Sequence, residues 1–195
     1  MLPSLYVDSL SFDRAAEPTI RVATYNIHKA RGLDGRDRLD RIADVLREID
    51  ATVVALQEVF AGQAERLAAV TGMHAVFGPT REGAAGPYGN LCLTRLAPLD
   101  HAHYDLTWRA AEPRGCLRVD LVSPGPEAAP LHVFNVHLGL GYRERVWQAR
   151  RLSQVLHPDR LAGPRLLLGD FNEWFHGGAS RLLGAEIGSP AAHRR

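Results

Sequence analysis

The chain has almost no lysine: all but one of its 23 basic residues are arginine, and Lys29 stands alone. Arginine suits bidentate phosphate recognition. A lysine-poor, alanine-rich composition is more simply the mark of a high-GC genome, so it carries no functional weight by itself. Neither sign of charge is in excess. The formal net charge is +1 and the pI about 7.9, which provides no global basic field for tight duplex binding through many phosphate contacts. Cysteine is scarce: Cys92 and Cys116 sit among alternating apolar residues at a spacing that fits no zinc or redox motif. Both are expected to be core thiols in a reducing compartment rather than a disulfide. No apolar run approaches the ~20 residues of a membrane span. The N-terminus lacks a basic start followed by an apolar stretch, so no secretory signal is expected and the cytoplasm is the default location. A glycine-rich phosphate loop between strand and helix is also missing, in both the G-x-G-x-x-G and G-x-x-x-x-G-K forms. That argues against a doubly wound nucleotide-binding domain.

What is present suits one domain with a sizeable core: 195 residues, 46% hydrophobic and 23% charged. A monomer is expected. Residues 1–18 contain Pro3 and Pro18 and suggest a loose extension, residues 19–184 the domain, and residues 185–195 a flexible tail. Thr19 to Asn26 alternates as a strand. Leu39, Ile42, Leu46 and Ile49 recur at helical spacing within a helix predicted over Asp37 to Ile49. Thr52 to Gln57 reads as a buried strand, and a helix over Gln63 to Val70 closes at Gly72. Then come strands over 73–77, 90–95, 101–108, 115–122 and 131–137, with Gly/Pro-rich loops at 78–89 and 123–130, suggesting antiparallel sheet. Tyr142 to Leu156 is a polar helix. Its Arg143, Arg145, Arg150 and Arg151 make a solvated face, with tracking of a phosphate backbone as the less favoured reading. Arg165 to Gly169 is a strand, and a short helix is predicted near Ala179 to Leu183. The mixture argues a layered α/β (α+β) domain.

Four of these strands end in polar groups able to meet at one sheet edge: Asn26 with His28, Gln57 with Glu58, Asn135 with His137, and Asp170 with Asn172. Ligand sites in α/β sheets gather outside the carboxyl ends of strands. A carboxylate directly after a buried strand is costly unless it is paired, hydrogen-bonded or metal-bound. Asp170 and Asn172, two apart, point the same way in extended chain and together suit a hard cation or a phosphoryl group.

The segments Ala23-Thr24-Tyr25-Asn26-Ile27-His28, Leu56-Gln57-Glu58-Val59, Tyr88-Gly89-Asn90, Arg114-Gly115, Asn135-Val136-His137-Leu138-Gly139 and Gly169-Asp170-Phe171-Asn172 resemble, in order, the endonuclease/exonuclease/phosphatase family of metal-dependent phosphoesterases. The resemblance implies a DNase I-like, four-layered α/β sandwich with two packed sheets flanked by helices, and Mg2+ (or Mn2+) at its mouth. It implies Glu58 as principal metal ligand with Asn26 and Asp170 beside it, and Asp170 as the group positioning or activating the attacking water. His137, Asn172 and Asn26 complete the catalytic set, while Arg114, Asn90, Asn135 and Tyr88 face the substrate phosphate. The implied function is phosphodiester hydrolysis on a nucleic acid, a phospholipid or an inositol phosphate. Family members continue through further strands to a Ser-Asp-His ending, which this sequence lacks, and neither His176 nor His193 is expected to replace that histidine. The resemblance therefore also implies missing C-terminal strands and reduced or absent activity. The alternative is a catalytically inactive truncated remnant, acting as a binding module or a non-functional product.

Overall fold

The computed structural model describes residues 5–10 (backbone alone), 19–32, 36, 38–123, 129–157, 161–175 and 177–187. Strand β1 (Leu5–Leu10) lies antiparallel on β2 (Ile20–Asn26). The expected loose extension over 1–18 is corrected to that extent: part of it satisfies the backbone donors and acceptors that β2 would otherwise leave at a sheet edge. The rest of it lies outside the described residues. Helix α1 (Leu39–Ile49) buries Leu39, Ile42, Ala43 and Leu46, the expected stripe, and ends at Asp50 in the left-handed conformation; the predicted start at Asp37 lies outside the described residues.

Strand β3 (Val53–Phe60) runs parallel to β2 and is followed by α2 (Ala61–Thr71). Strands β4 (His74–Gly83) and β5 (Gly86–Thr94) form a hairpin. The expected loop over 78–89 is therefore mostly strand. Pro79 is accommodated because β4 pairs with β5 alone and its register shifts between Pro79 and Arg81, where a missing backbone N–H matters least. Strands β6 (Pro98–Asp105), β7 (Gly115–Leu121) and β8 (Leu131–His137) form an antiparallel meander, as expected. Helix α3 (Tyr142–Leu156) leads to β9 (Arg165–Asp170), parallel to β8, and α4 (Gly178–Ile187) follows. The last helix is longer than predicted and reaches into the expected tail; residues 188–195 and both His176 and His193 lie outside the described residues.

The sheets have strand orders β1-β2-β3-β5-β4 and β6-β7-β8-β9. Their facing sides interdigitate Ile20, Val22, Val53, Ala55 and Cys92 with Leu117, Val119, Leu121, Leu131, Val133 and Leu168. The outer side of the first sheet packs on α1 and α2 through Leu56, Leu91, Leu46 and Leu67. The outer side of the second packs on α3 and α4 through Phe134, Val136, Leu152 and Leu183. The result is the expected four-layered sandwich. Cys92 and Cys116 are free, buried and in different core layers. Truncating a fully buried contact such as Leu152 to alanine would cost about 2–5 kcal/mol.

Two features aim the strand tips. The β2–α1–β3 and β8–α3–β9 units each join a parallel pair, so the carboxyl ends of four strands emerge in two adjacent couples. The polar α3 also braces the loop after β8: Gly139 N–H donates to Gln148 Oε1 at 2.9 Å, and Arg145 Nη1 donates to the Gly139 and Leu140 carbonyls. No described helix is long and apolar enough to cross a membrane.

Candidate active site at the mouth of the sandwich

Asn26 closes β2 in register with Gln57 of β3, and His137 closes β8 directly opposite Asp170 of β9. Glu58 comes next in β3, where the pairing to β5 slips by one residue between Leu56 and Val59. At this bulge Glu58 has φ 61°, a left-handed conformation that non-glycine residues rarely adopt. The bulge turns its carboxylate off the pleat and into the mouth. Without it, side-chain alternation would send Glu58 and Gln57 to opposite faces in the ordinary way.

The groups then converge. Asn26 Nδ2 donates to Glu58 Oε1 at 3.2 Å and to Asp170 Oδ2 at 2.9 Å. One amide thus joins carboxylates from both sheets. The His28 backbone N–H donates to Asn26 Oδ1 at 3.0 Å, which assigns the amide orientation. His28 Nδ1 itself lies 3.6 Å from Glu58 Oε1. The Tyr88 hydroxyl donates to Glu58; burial and the Glu58 charge push it above tyrosine's ordinary value, so it remains a donor. Burial alone would raise the Glu58 carboxyl, but the bonds from Asn26 and Tyr88 and the nearby His137 and His28 outweigh it and hold the group below the usual range.

His137 is buried, and its two nitrogens have defined roles. Arg114 Nη1 lies 3.2 Å from His137 Nδ1. A guanidinium can only donate, so Nδ1 accepts and the proton of the neutral ring sits on Nε2. That nitrogen is 3.8 Å from Asp170 Oδ2. Burial first, and the Arg114 charge second, lower the His137 value to about 4. At neutral pH the ring is an uncharged donor facing the mouth. Arg114 is 7% exposed, and its Nη2 pairs with Glu112 Oε2 at 3.0 Å.

The other expected site residues fall into two groups. Asn172, at φ 49°, donates its backbone N–H to Asp170 Oδ1 at 2.9 Å and its side-chain amide to the Leu138 carbonyl at 2.8 Å. It locks the β9 tip to the loop after β8. Asn90 and Asn135 correct the expectation that they face a phosphate. Asn135 Nδ2 donates to the Leu56 and Leu91 carbonyls at 2.9 and 3.0 Å, and its Oδ1 accepts from Gln57 Nε2 at 2.8 Å. Asn90 Nδ2 donates to the Gly115 and Asn135 carbonyls, both at 3.1 Å. With both amide hydrogens on strand carbonyls, these side chains stitch the two sheets together beneath the mouth. Tyr88 belongs to the mouth, but its hydroxyl meets Glu58. His28, expected at the sheet edge with Asn26, joins the mouth beside Glu58. Two participants escaped the sequence reading, the Arg81–Glu112 pair beyond Arg114, and no pattern pointed to them.

The donor set fits a hard divalent cation. Two carboxylates lie within reach of one amide nitrogen, and magnesium needs only one or two carboxylates because it keeps several waters. Among the described residues there is no cluster of three or more His, Cys, Asp or Glu side chains able to cage a metal.

The family model described as the Endonuclease/Exonuclease/phosphatase family matches residues 23–190. The uncharacterized protein YbhP of Escherichia coli K12 is 30% identical, over 83% of this chain and 70% of that protein. A conserved protein of unknown function from Enterococcus faecalis V583 superposes with a TM-score of 0.72 at 21% identity, over 84% of this chain and 71% of that one. A mannosyl-6-phosphatase from Bacteroides thetaiotaomicron VPI-5482 gives 0.69 at 20% identity, over 84% and 69%. The structural likenesses bear on the fold; the family match spans the strands that carry Asn26, Glu58, His137 and Asp170. This chain belongs to the endonuclease/exonuclease/phosphatase family, whose members are phosphoesterases.

Proposed function

We propose that the protein hydrolyses phosphoesters with the aid of magnesium, or manganese in its place, held by Glu58 with Asp170 alongside. The observation that carries this reading is the Asn26 amide bridging Glu58 and Asp170 from opposite sheets. Two carboxylates would repel an incoming phosphate, and a bound cation reverses that sign. Bound there, such an ion would supply Lewis-acid polarisation of a phosphoryl oxygen and activation of water. Asn26 holds the two carboxylates at a fixed separation. Asp170 orients the attacking water and accepts its proton as the new P–O bond forms and the bond to the leaving oxygen breaks. The neutral His137 Nε2–H and the Arg114 guanidinium meet charge that develops on the phosphoryl oxygens. The substrate class within phosphoesters stays broad: nucleic acid, phospholipid, inositol phosphate, or a small phosphomonoester of the sort named for the Bacteroides phosphatase.

The test is hydrolysis of bis(p-nitrophenyl) phosphate, p-nitrophenyl phosphate and a labelled single-stranded oligonucleotide, with Mg2+, Mn2+ or chelator. Metal-dependent turnover is expected, falling about 10²–10⁴-fold in Asp170→Asn. Calorimetric Mg2+ binding is expected to vanish in Glu58→Gln. Binding without turnover on any substrate would favour the binding-module alternative. Metal titrations that cannot tell Glu58→Gln from the wild type would defeat the proposal.

A further inference from the structure

Beyond Arg114 lies an arrangement that phosphoester hydrolysis does not require. Arg81, from β4, and Arg114, from the loop before β7, converge on one carboxylate. Arg81 Nη2 donates to Glu112 Oε1 at 3.0 Å, and Arg114 Nη2 meets Glu112 Oε2, also at 3.0 Å. Each oxygen of the anion has its own guanidinium. The buried Nε of both arginines makes no hydrogen bond among the described residues.

This fork is tied to both halves of the mouth. The Arg81 guanidinium stacks 4.6 Å over the ring of Tyr88, whose hydroxyl serves Glu58. Arg114 Nη1 rests on His137, which faces Asp170. Lys29 Nζ lies 5.6 Å over the same Tyr88 ring, adding to the positive side of the rim. Opposed guanidiniums of this kind suit the oxygens of a phosphate or phosphodiester. Their present occupant is half in water: the Glu112 side chain is 46% exposed. A partner needed only to neutralise buried Arg114 would be firmer if buried, and exposed ion pairs contribute little.

We propose that Arg81 and Arg114 form a second anion subsite beside the scissile position, which takes a further phosphate of the substrate, and that Glu112 fills it in the free protein as a displaceable internal ligand. The proposal rests on the phosphoesterase reading for its biological meaning, not for its test. The favoured substrate carries two phosphate groups a few ångströms apart, as neighbouring phosphodiesters of a strand or as two phosphates on one small molecule.

The experiment is titration of the full chain with inorganic phosphate in the presence of chelator. Without metal, Glu58 and Asp170 repel the probe, so binding reports the arginine fork. Removing the competitor in Glu112→Gln should tighten phosphate binding about three- to thirtyfold, as loss of two ion pairs to a half-exposed carboxylate implies. Adding Arg81→Gln to that variant should erase the gain, while Glu65→Gln on α2, which removes the same charge elsewhere, should give almost none. Unchanged or weakened binding in Glu112→Gln, or a gain that survives Arg81→Gln, would overturn the subsite. If the chain hydrolyses phosphoesters, Arg81→Gln should raise KM for a nucleoside 3′,5′-bisphosphate and for a dinucleotide bearing a terminal phosphate, but not for p-nitrophenyl phosphate. A larger loss on the first marks a small-molecule source of the second phosphate, and a larger loss on the second marks a strand. Failure of all turnover with the phosphate titration intact would count against the enzyme reading and leave the subsite standing.

Discussion

Replacing Asn135 with leucine separates a structural amide from a ligand-binding one. The side chain is fully buried and holds three hydrogen bonds: two donated to the Leu56 and Leu91 carbonyls and one accepted from Gln57 Nε2. Leucine has nearly the same shape, so the change adds little cavity and reads mainly on hydrogen bonding. Each partner left unpaired in a buried site costs about 1–3 kcal/mol. Gln57 Nε2 keeps contacts to Thr24 Oγ1 and the Ala55 carbonyl, both at 3.1 Å, which places its share at the low end. The sum is about 3–7 kcal/mol, a large part of the 5–15 kcal/mol typical of a whole domain. Urea unfolding of the metal-free protein, followed by fluorescence of its tryptophans, measures it. The double variant with Gln57→Leu should lose less than the sum of the two single losses, because the shared bond is counted once. A loss below about 1 kcal/mol, within the range of ordinary surface changes, combined with a collapse in phosphate affinity, would refute the structural assignment and return Asn135 to the substrate.

Gly169 has φ 145°, and a Cβ there would sit 1.9 Å from the Val136 carbonyl oxygen, so Gly169→Ala should destabilise by more than about 3 kcal/mol in the same denaturation assay. Glu58 is held in the left-handed region; Glu58→Gly and Glu58→Ala should both abolish calorimetric Mg2+ binding, with the glycine variant the more stable of the two without metal by about 1 kcal/mol, and equal urea midpoints would show that the bulge stores no strain. Glu173 accepts hydrogen bonds from the Gly177, Ala179 and Ser180 backbone and from Ser180 Oγ at the start of α4. Burial raises its carboxyl, but these bonds outweigh it and lower the value. Its contribution is therefore present above the ordinary glutamate value of 4.5 and lost as pH falls below it. Thermal melts should show Glu173→Gln less stable than wild type at pH 7, with the gap closing toward pH 3; a gap independent of pH would rule out the carboxylate as its cause.

The strand tips were readable in the sequence because apolar runs ending in Asn26, Glu58, His137 and Asp170 have few other physical explanations when they recur. The layered fold followed from helical spacing in Leu39–Ile49 and alternation in the middle of the chain. Asn90 and Asn135 were misread for a definite reason. A polar residue interrupting an apolar strand looks the same whether its partner is a ligand or a carbonyl of the opposite sheet, and only the packing distinguishes the two. The β4–β5 hairpin was hidden because Gly83, Gly86, Gly89 and two prolines signal loop, although Gly89 is required in the ladder itself: a Cβ would sit 2.1 Å from the Gly78 carbonyl oxygen. The Arg81–Glu112–Arg114 fork joins a β4 residue to the loop before β7 with no spacing rule between them, so no pattern could announce it.

The buried amides give the mouth a mechanical property. Its two halves belong to different sheets, Asn26 and Glu58 to one, His137 and Asp170 to the other. Apolar sheet packing is non-directional and fixes separation better than sliding. The Gln57–Asn135–Asn90 bonds run across the sheets beneath these tips and are directional, so they hold the register in which one Asn26 nitrogen reaches both carboxylates. A shift of about 1 Å between the halves would break that bridge, and misplacement on this scale costs about 10²-fold in rate. A change in the network such as Gln57→Asn, which keeps the amide but shortens its reach, should therefore depress catalysis as well as folding, although none of these side chains meets the substrate.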